Sequence, residues 1–531
     1  MTAAAPKAGA VTAGLAASLA AIALVWAVAM LVAAARFRGV WIDEFWSVWM
    51  SPPGLSATGA ASRWIHDVHP PFYSALSWLV SPLVGEDLFA RRLLNLLPLA
   101  WLSGASAYAA IRFPEAVRFI LTLLVLTLAG VLAVYFFPEH RSYFTILCLT
   151  TTTLIYLYCA FQADRDLAFR SDWPAAMALG VSATGAFCLH YVAAVTIGLM
   201  LGVFCLELIR RRLWRWAAVV FAAGVLGASM LCASVIWMLP WLRAAGSNFW
   251  IVTGFRAAMN TTLKVVGVSA LENLVAAAAA ALAFVAALVR SRRGEPIPSG
   301  VVRYVACCGL ALCLAIVTVL GINAVRPIVA YRYLTPMVCL AMAGVAALAC
   351  DRLFSRRWIF AAFILNAIAV ITFHGWQIAR QTRWEATARE IAAAVKSCPD
   401  ARVYVPRPAF FADYPPTLDS APVYALGYRH IAAAYGFGFR DFDPGSAQAV
   451  EVSDHCPTIF WVEQIGQRRD LQQLMAATFV KSLPAGFNIN AGRVSWREQD
   501  KGLLFKEGGD LSFIVVVPPA SNATATHASG T

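Results

Sequence analysis

AMLVAAARFRGVWIDEFWSVW, residues 29–49, decides the class of this chain and carries its least ordinary chemistry. It closes an apolar run that begins near residue 11, passes Arg36 and Arg38, and then sets Asp43 beside Glu44. An apolar run of about 25 residues exceeds the hydrophobic part of a cleavable signal and is long enough to cross roughly 30 Å of hydrocarbon. It reads as a retained first membrane helix. Two acids just beyond it have little structural use at a bilayer surface, where an ionisable group is a functional candidate by default.

The rest of the chain agrees with that class. Of 531 residues, 60% are hydrophobic and only 13% charged, where soluble domains carry roughly 25%. Mean hydropathy is +0.67. The expected fold is a polytopic α-helical membrane protein with about eleven spans, near 11–35, 91–111, 117–137, 142–162, 174–189, 191–209, 217–239, 265–289, 302–322, 333–350 and 358–377. His190-Tyr191 marks a tight turn between two of them.

The net charge of +13 gathers in short Arg clusters between spans: Arg112/Arg118, Arg165/Arg170, Arg210 to Arg215, Arg290 to Arg293 and Arg352 to Arg357. With the N-terminus inside, every one falls on the cytoplasmic side, as the positive-inside bias requires. No basic stripe with interleaved aromatics points to nucleic acid. The opposite face collects Asp43, Glu44, Asp67, His69, Glu139, His190 and Arg332.

Near residue 380 the composition changes. Trp384, Ala388, Ile391 and Val395 recur at helical spacing, and strand-like runs follow at 401–406, 457–463 and 511–517, with a second helix expected near 468–479. The expected organisation is a membrane module at 1–379, a small α/β domain at 380–517 on the outer side, and a disordered tail at 518–531. Ten cysteines lie in apolar segments and read as small buried hydrophobes. Cys398 and Cys456 lie in the polar region and could pair if it is exported.

Five constellations carry chemistry. Asp43-Glu44 offers one carboxylate to face a reaction and one to orient it; partial desolvation would tune the first as a general base. The structural alternative is an interfacial helix cap. HDVHPPFY (66–73) fixes His66, Asp67 and His69 on a Pro-rich loop that forbids regular helix, or is merely a loop breaker. His69 with a carboxylate is chemically able to take a divalent metal, although no ligand set is defined. FFPEHRSYFTIL (136–147) puts Glu139, Arg141 and Tyr143 within about a turn and a half, and Arg suits phosphate oxygens. NAVRPIVAYRYLTP (323–336) places Arg326, Arg332 and Tyr333 at an outer helix boundary, against the charge bias. An interfacial anchor and a lipid headgroup are the plainer readings of these two. His190-Tyr191 divides evenly between packing and function.

The order of Asp43-Glu44, HPPFY (69–73), PEHRSY (138–143), HY (190–191) and RYLTP (332–336) resembles the dolichyl-phosphate-mannose-protein mannosyltransferase superfamily over roughly the first 350 residues. These are GT-C glycosyltransferases, among them bacterial family-39-like enzymes and lipid A aminoarabinose and galacturonic acid transferases. The resemblance implies inverting transfer of a sugar from a polyprenyl-phosphate donor to a lipid, glycan or protein acceptor, at the periplasmic face of a bacterial inner membrane. Asp43 would be the base and Glu44 its assistant; Arg141, Arg326 and Arg332 would hold the donor phosphate. Many relatives read Glu-Ala-Arg where this chain has Glu139-His140-Arg141, which leaves His140 open. A transporter or flippase of lipid-linked glycans is the alternative, but it should place charges near the midplane of several spans. A sensor with an exported ligand-binding domain is a third reading.

Overall fold

The computed structural model describes residues 13–67, 69–162, 166–245, 254–295, 299–381, 384–406, 421–442, 450–465, 493–498, 511–517 and 519. Among them nine helices are long and apolar enough to cross a membrane: Gly14–Phe37, Leu88–Arg112, Tyr143–Gln162, Tyr191–Arg210, Trp214–Arg243, Leu274–Arg292, Gly300–Val325, Tyr331–Leu353 and Arg357–Ala379. The polytopic helical class follows.

The other expected spans take different forms. Residues 117–137 fold as two helices, Val117–Leu128 and Val131–Phe136. The break falls at Gly130, where an added Cβ would stand 2.6 Å from the Leu126 carbonyl oxygen and 2.7 Å from Glu272 Oε1. Glu272 accepts the Val131 N–H at 2.9 Å, so the carboxylate replaces a hydrogen bond lost at the break. Residues 265–289 are divided in turn at Glu272 and Asn273, between helices Phe255–Leu271 and Leu274–Arg292. Asn273 caps the second by accepting the Ala276 N–H at 3.1 Å. Residues 174–188 lie inside the helix Phe169–Cys188, and Leu189 is its C-cap.

The chain divides into two compact units, Met1–Arg36 with Ser51–Ile378, and Phe37–Met50 with Ala379–Thr531. In the first, Tyr143–Gln162 and Tyr331–Leu353 are the most buried of the nine long helices, whereas Trp214–Arg243 and Leu274–Arg292 expose most of their apolar surface, as lipid-facing helices do. Thr150, Thr151, Thr152 and Thr153 are all buried on the central helix, and Thr152 returns its hydroxyl to the Cys148 carbonyl, so small polar side chains allow close approach. Eight of the ten apolar-segment cysteines are buried as expected; Cys232 and Cys313 are exposed on their helices, because single apolar side chains need no burial where a helix faces lipid.

The second unit carries a five-stranded sheet of β1 (Arg402–Pro406), β2 (Arg440–Phe442), β3 (Thr458–Ile465), β4 (Arg493–Glu498) and β5 (Leu511–Val517), in the order β2-β1-β3-β5-β4. β1 runs parallel to β2 and β3, and β5 runs antiparallel to β3 and β4. Helices Trp384–Ser397 and Ala421–Tyr435 accompany it. The predicted 4, 3, 4 spacing buries Trp384, Ala388 and Ile391, while Val395 is part-exposed. Trp384, Tyr428 and Trp461 form the aromatic core, with centroids 5.0 Å and 4.8 Å apart in that order. Cys398 and Cys456 are disulfide-bonded. The helix expected near 468–479 lies outside the described residues, as does nearly all of 518–531.

Residues 37–50, which the sequence reading keeps with the membrane module, pack in this second unit.

Candidate active site

In the first unit the Pro-rich loop is built around Asp67. Its Oδ1 accepts the His69 backbone N–H at 3.2 Å and lies 3.1 Å from His69 Nδ1. One buried carboxylate oxygen thus fixes both loop and ring. Pro71 is the N-cap of helix Phe72–Val84, and its missing N–H costs nothing there.

His190 sits in extended backbone before helix Tyr191–Arg210, and its Nδ1 accepts the Val192 N–H at 3.2 Å. The proton of the neutral ring therefore lies on Nε2. Burial first, then the neighbouring His69, Arg141 and Arg332, hold its pKa well below the usual histidine value. Around this neutral imidazole the motifs meet. The His190 centroid is 4.1 Å from Tyr333, 5.4 Å from His69 and 6.0 Å from Tyr143. Tyr143 and Tyr333 are 6.2 Å apart. The Arg332 guanidinium carbon lies 5.7 Å from the Tyr143 ring centre and 6.0 Å from that of Tyr333, cation–π distances.

Local structure explains why these groups can gather. Asn323 Oδ1 accepts the N–H groups of Ile328 and Val329 at 2.8 and 2.9 Å, which turns the chain after helix Ser299–Val325. A 3-10 turn, Tyr331–Leu334, then presents Arg332 and Tyr333, and Thr335 returns its hydroxyl to the Arg332 carbonyl at 2.7 Å. Glu139 is fully buried, and its carbonyl and that of Phe137 each take a hydrogen bond from Asn95 Nδ2 at 2.9 Å. Asp67, His69, Arg141, Tyr143, His190, Arg332 and Tyr333 are thereby brought together. Arg326 is exposed beyond its helix end and is not one of the buried groups.

A second network, not evident from the sequence, lies beside them. His140 Nε2 lies 2.9 Å from Ser77 Oγ, and Nδ1 lies 3.3 Å from the Tyr73 hydroxyl. Ser77 Oγ and Ser51 Oγ are 2.7 Å apart, and Arg91 Nη1 donates to both at 3.0 and 3.1 Å. Arg91 Nη2 and Nε donate to the carbonyls of Ser51 and Gly85 at 2.9 and 2.6 Å. Arg91, His140, Ser51 and Ser77 are essentially without exposure. The i, i+4 spacing of Tyr73 and Ser77 was the available signal, since it puts both on one helix face.

Asp43 and Glu44 open the helix Ile42–Met50 of the second unit. Glu44 is buried, and its Oε2 accepts the Trp41 N–H at 3.3 Å. That is the returning half of a capping box, the contact expected of an interfacial helix cap. Asp43 is part-exposed. Among the described residues no group of three or more His, Cys, Asp or Glu is disposed to hold a metal ion.

The arrangement concentrates guanidinium charge, phenol hydroxyls and a neutral imidazole N–H at the starts of apolar helices, a set suited to an anionic oxygen group. No family model matches the chain, and no curated protein matches it. The chain is similar to crystal structures of ArnT from Cupriavidus metallidurans. The form bound to undecaprenyl phosphate aligns with 95% of this chain and 98% of that one, at 14% identity and a TM-score of 0.49; the apo form aligns with 96% and 98%, at 14% identity and a TM-score of 0.47.

Proposed function

We propose that this protein is an inverting membrane glycosyltransferase that moves a sugar from a polyprenyl-phosphate donor to an acceptor hydroxyl. The observation that carries the proposal is Arg332, buried against Tyr143 and Tyr333 beside a neutral His190. A guanidinium grouped with phenol rings and a neutral imidazole suits an anionic oxygen group, and a lipid-linked phosphate is one that dissolves in the bilayer.

In the reaction the acceptor oxygen attacks the anomeric carbon as the bond to the phosphate oxygen breaks. The phosphate leaves with that electron pair, and Arg332 and Arg141 meet its growing charge with charge-assisted hydrogen bonds. The Nε2–H of His190 and the hydroxyls of Tyr143 and Tyr333 add neutral donors. Asp43, part-exposed at the start of its helix, takes the acceptor proton. Glu44 does not touch the reaction in this account; it holds the helix that bears Asp43.

The chemistry belongs to the periplasmic face of a bacterial inner membrane. The Cys398–Cys456 disulfide supports this, since such bonds persist in oxidising compartments, as do the Arg clusters assigned to the other side. The transporter alternative is less well supported: His190, Arg332 and Tyr143 lie at the first residues of their helices or just before them, not at the midplane. Purified protein with a polyprenyl-phosphate sugar and an envelope-lipid extract as the source of acceptor tests the reading. Wild type is expected to release polyprenyl phosphate, and Asp43→Asn and Arg332→Ala to release it far more slowly. Equal release by all three would overturn it.

A further inference from the structure

The helix bearing the acid pair is two-faced. Trp41, Glu44, Phe45 and Val48 repeat at helical spacing and are buried, while Asp43, Trp46 and Trp49 recur every third residue and are part-exposed. Within the second unit the helix Ile42–Met50 packs on Ala421–Tyr435. Phe45 lies 5.4 Å from the Trp384 ring and 5.7 Å from that of His430, centroid to centroid. The seat has no slack. At Gly427 an added Cβ would stand 2.8 Å from two carbons of the Trp384 ring and 3.0 Å from Phe45 Cδ2, separations that real Cβ atoms rarely reach.

The connection into the helix is held as well. Gly39 N–H donates to the Gln381 carbonyl at 2.9 Å. Val40 N–H donates to Glu385 Oε1 at 2.7 Å, a charge-assisted bond. Gln381, Trp384, Glu385, Gly427 and His430 all follow the last long apolar helix, Arg357–Ala379. The piece of chain with the candidate base therefore takes its orientation from sequence more than 300 residues away, the separation of Val40 and Glu385 being 345.

We propose that the C-terminal domain is the positioning element for Asp43. Glu385 fixes the start of the helix, and the Trp384–Gly427–His430 seat fixes its rotation through Phe45, so that Asp43 stays on the part-exposed side. The domain then governs proton transfer from the acceptor, not the binding of the lipid donor. This rests on Asp43 being the base.

The test uses full-length protein in vesicles, with two readouts: backbone hydrogen exchange over residues 39–50, and kcat and KM for a purified polyprenyl-phosphate sugar with an envelope-lipid extract as the source of acceptor. Glu385→Ala removes the acceptor of the Val40 N–H. Exchange at 39–45 is expected to speed up about tenfold or more, and kcat to fall about 10–100-fold, the range spanned by loss of one charge-assisted hydrogen bond. KM for the donor should stay within about twofold. Glu385→Gln keeps an acceptor oxygen and should hold kcat within about threefold of wild type. Gly427→Val should repeat the Ala result by unseating Phe45; if it does not fold, the Glu385 pair decides alone. Faster exchange with unchanged kcat would overturn the proposal, and so would a raised donor KM at unchanged kcat. Full activity of Asp43→Asn would instead remove the base assignment, and is told apart because the exchange readout does not depend on catalysis.

Discussion

His190 accepts the Val192 N–H through Nδ1 at 3.2 Å while its ring lies 4.1 Å from that of Tyr333. One side chain therefore caps helix Tyr191–Arg210 and joins the buried cluster at its start. The cap settles the tautomer, burial and neighbouring cations settle the charge, and the cluster receives a neutral donor where a packing role alone would need only a ring.

The depressed pKa of His190 has a sign that can be measured. Above pH ~6.5 the ring is neutral both folded and unfolded. As pH falls below that value the unfolded chain takes up a proton that the folded protein refuses, so stability drops, with a limiting slope of about 1.4 kcal/mol per pH unit. His190→Asn keeps an N-cap but does not titrate. Thermal unfolding in detergent between pH 7 and 5 should show a smaller loss for the variant than for wild type.

Arg332 should matter more than its charge. Replacement by Lys retains a cation but loses the planar fork that stacks on Tyr143 and Tyr333 and can bind two oxygens. Steady-state kinetics should give at least a tenfold loss of kcat/KM for Arg332→Lys and a larger one for Arg332→Ala, about 2–4 kcal/mol of transition-state stabilisation. Exposed Arg326 should tolerate Ala with a loss below about threefold.

Asp67 holds His69 by two contacts to one oxygen. Asp67→Asn keeps the oxygen but removes the charge that orients the ring. Kinetic assay should show a kcat about 10-fold lower or worse, with thermal stability little changed.

His140 belongs to a buried network, so its removal should act on folding first. His140→Ala would leave the Tyr73 and Ser77 hydroxyls short of a partner, at a cost of about 1–3 kcal/mol. Thermal unfolding should detect that loss.

How much of this could be read from the chain depends on the length of the signal. Apolar runs such as 302–322 and 358–377 declare helices by themselves, and polar residues at their ends stand out against 13% charge. The breaks at Gly130 and Glu272 were illegible because each is explained by the other, through a contact between segments far apart in sequence. Helix Ala421–Tyr435 has a weak sequence signal, since APVYALGYRHIAAAY carries aromatic residues and glycine that weaken helical propensity. Its packing on Trp384 and Phe45 supplies what propensity does not. Asp43 and Glu44 look equivalent in sequence and are not: one is a buried cap, the other part-exposed. Arg326 and Arg332 likewise look equivalent, yet only Arg332 lies in the buried 3-10 turn.

The most direct measurement is mass spectrometry of envelope lipids and glycans from cells with the gene, without it, and with Asp43→Asn in its place. One class of lipid, glycan or protein is expected to lose a single sugar in the deletion strain, to regain it with the wild-type gene, and not to regain it with Asp43→Asn. An envelope identical in all three, or full restoration by Asp43→Asn, would contradict it.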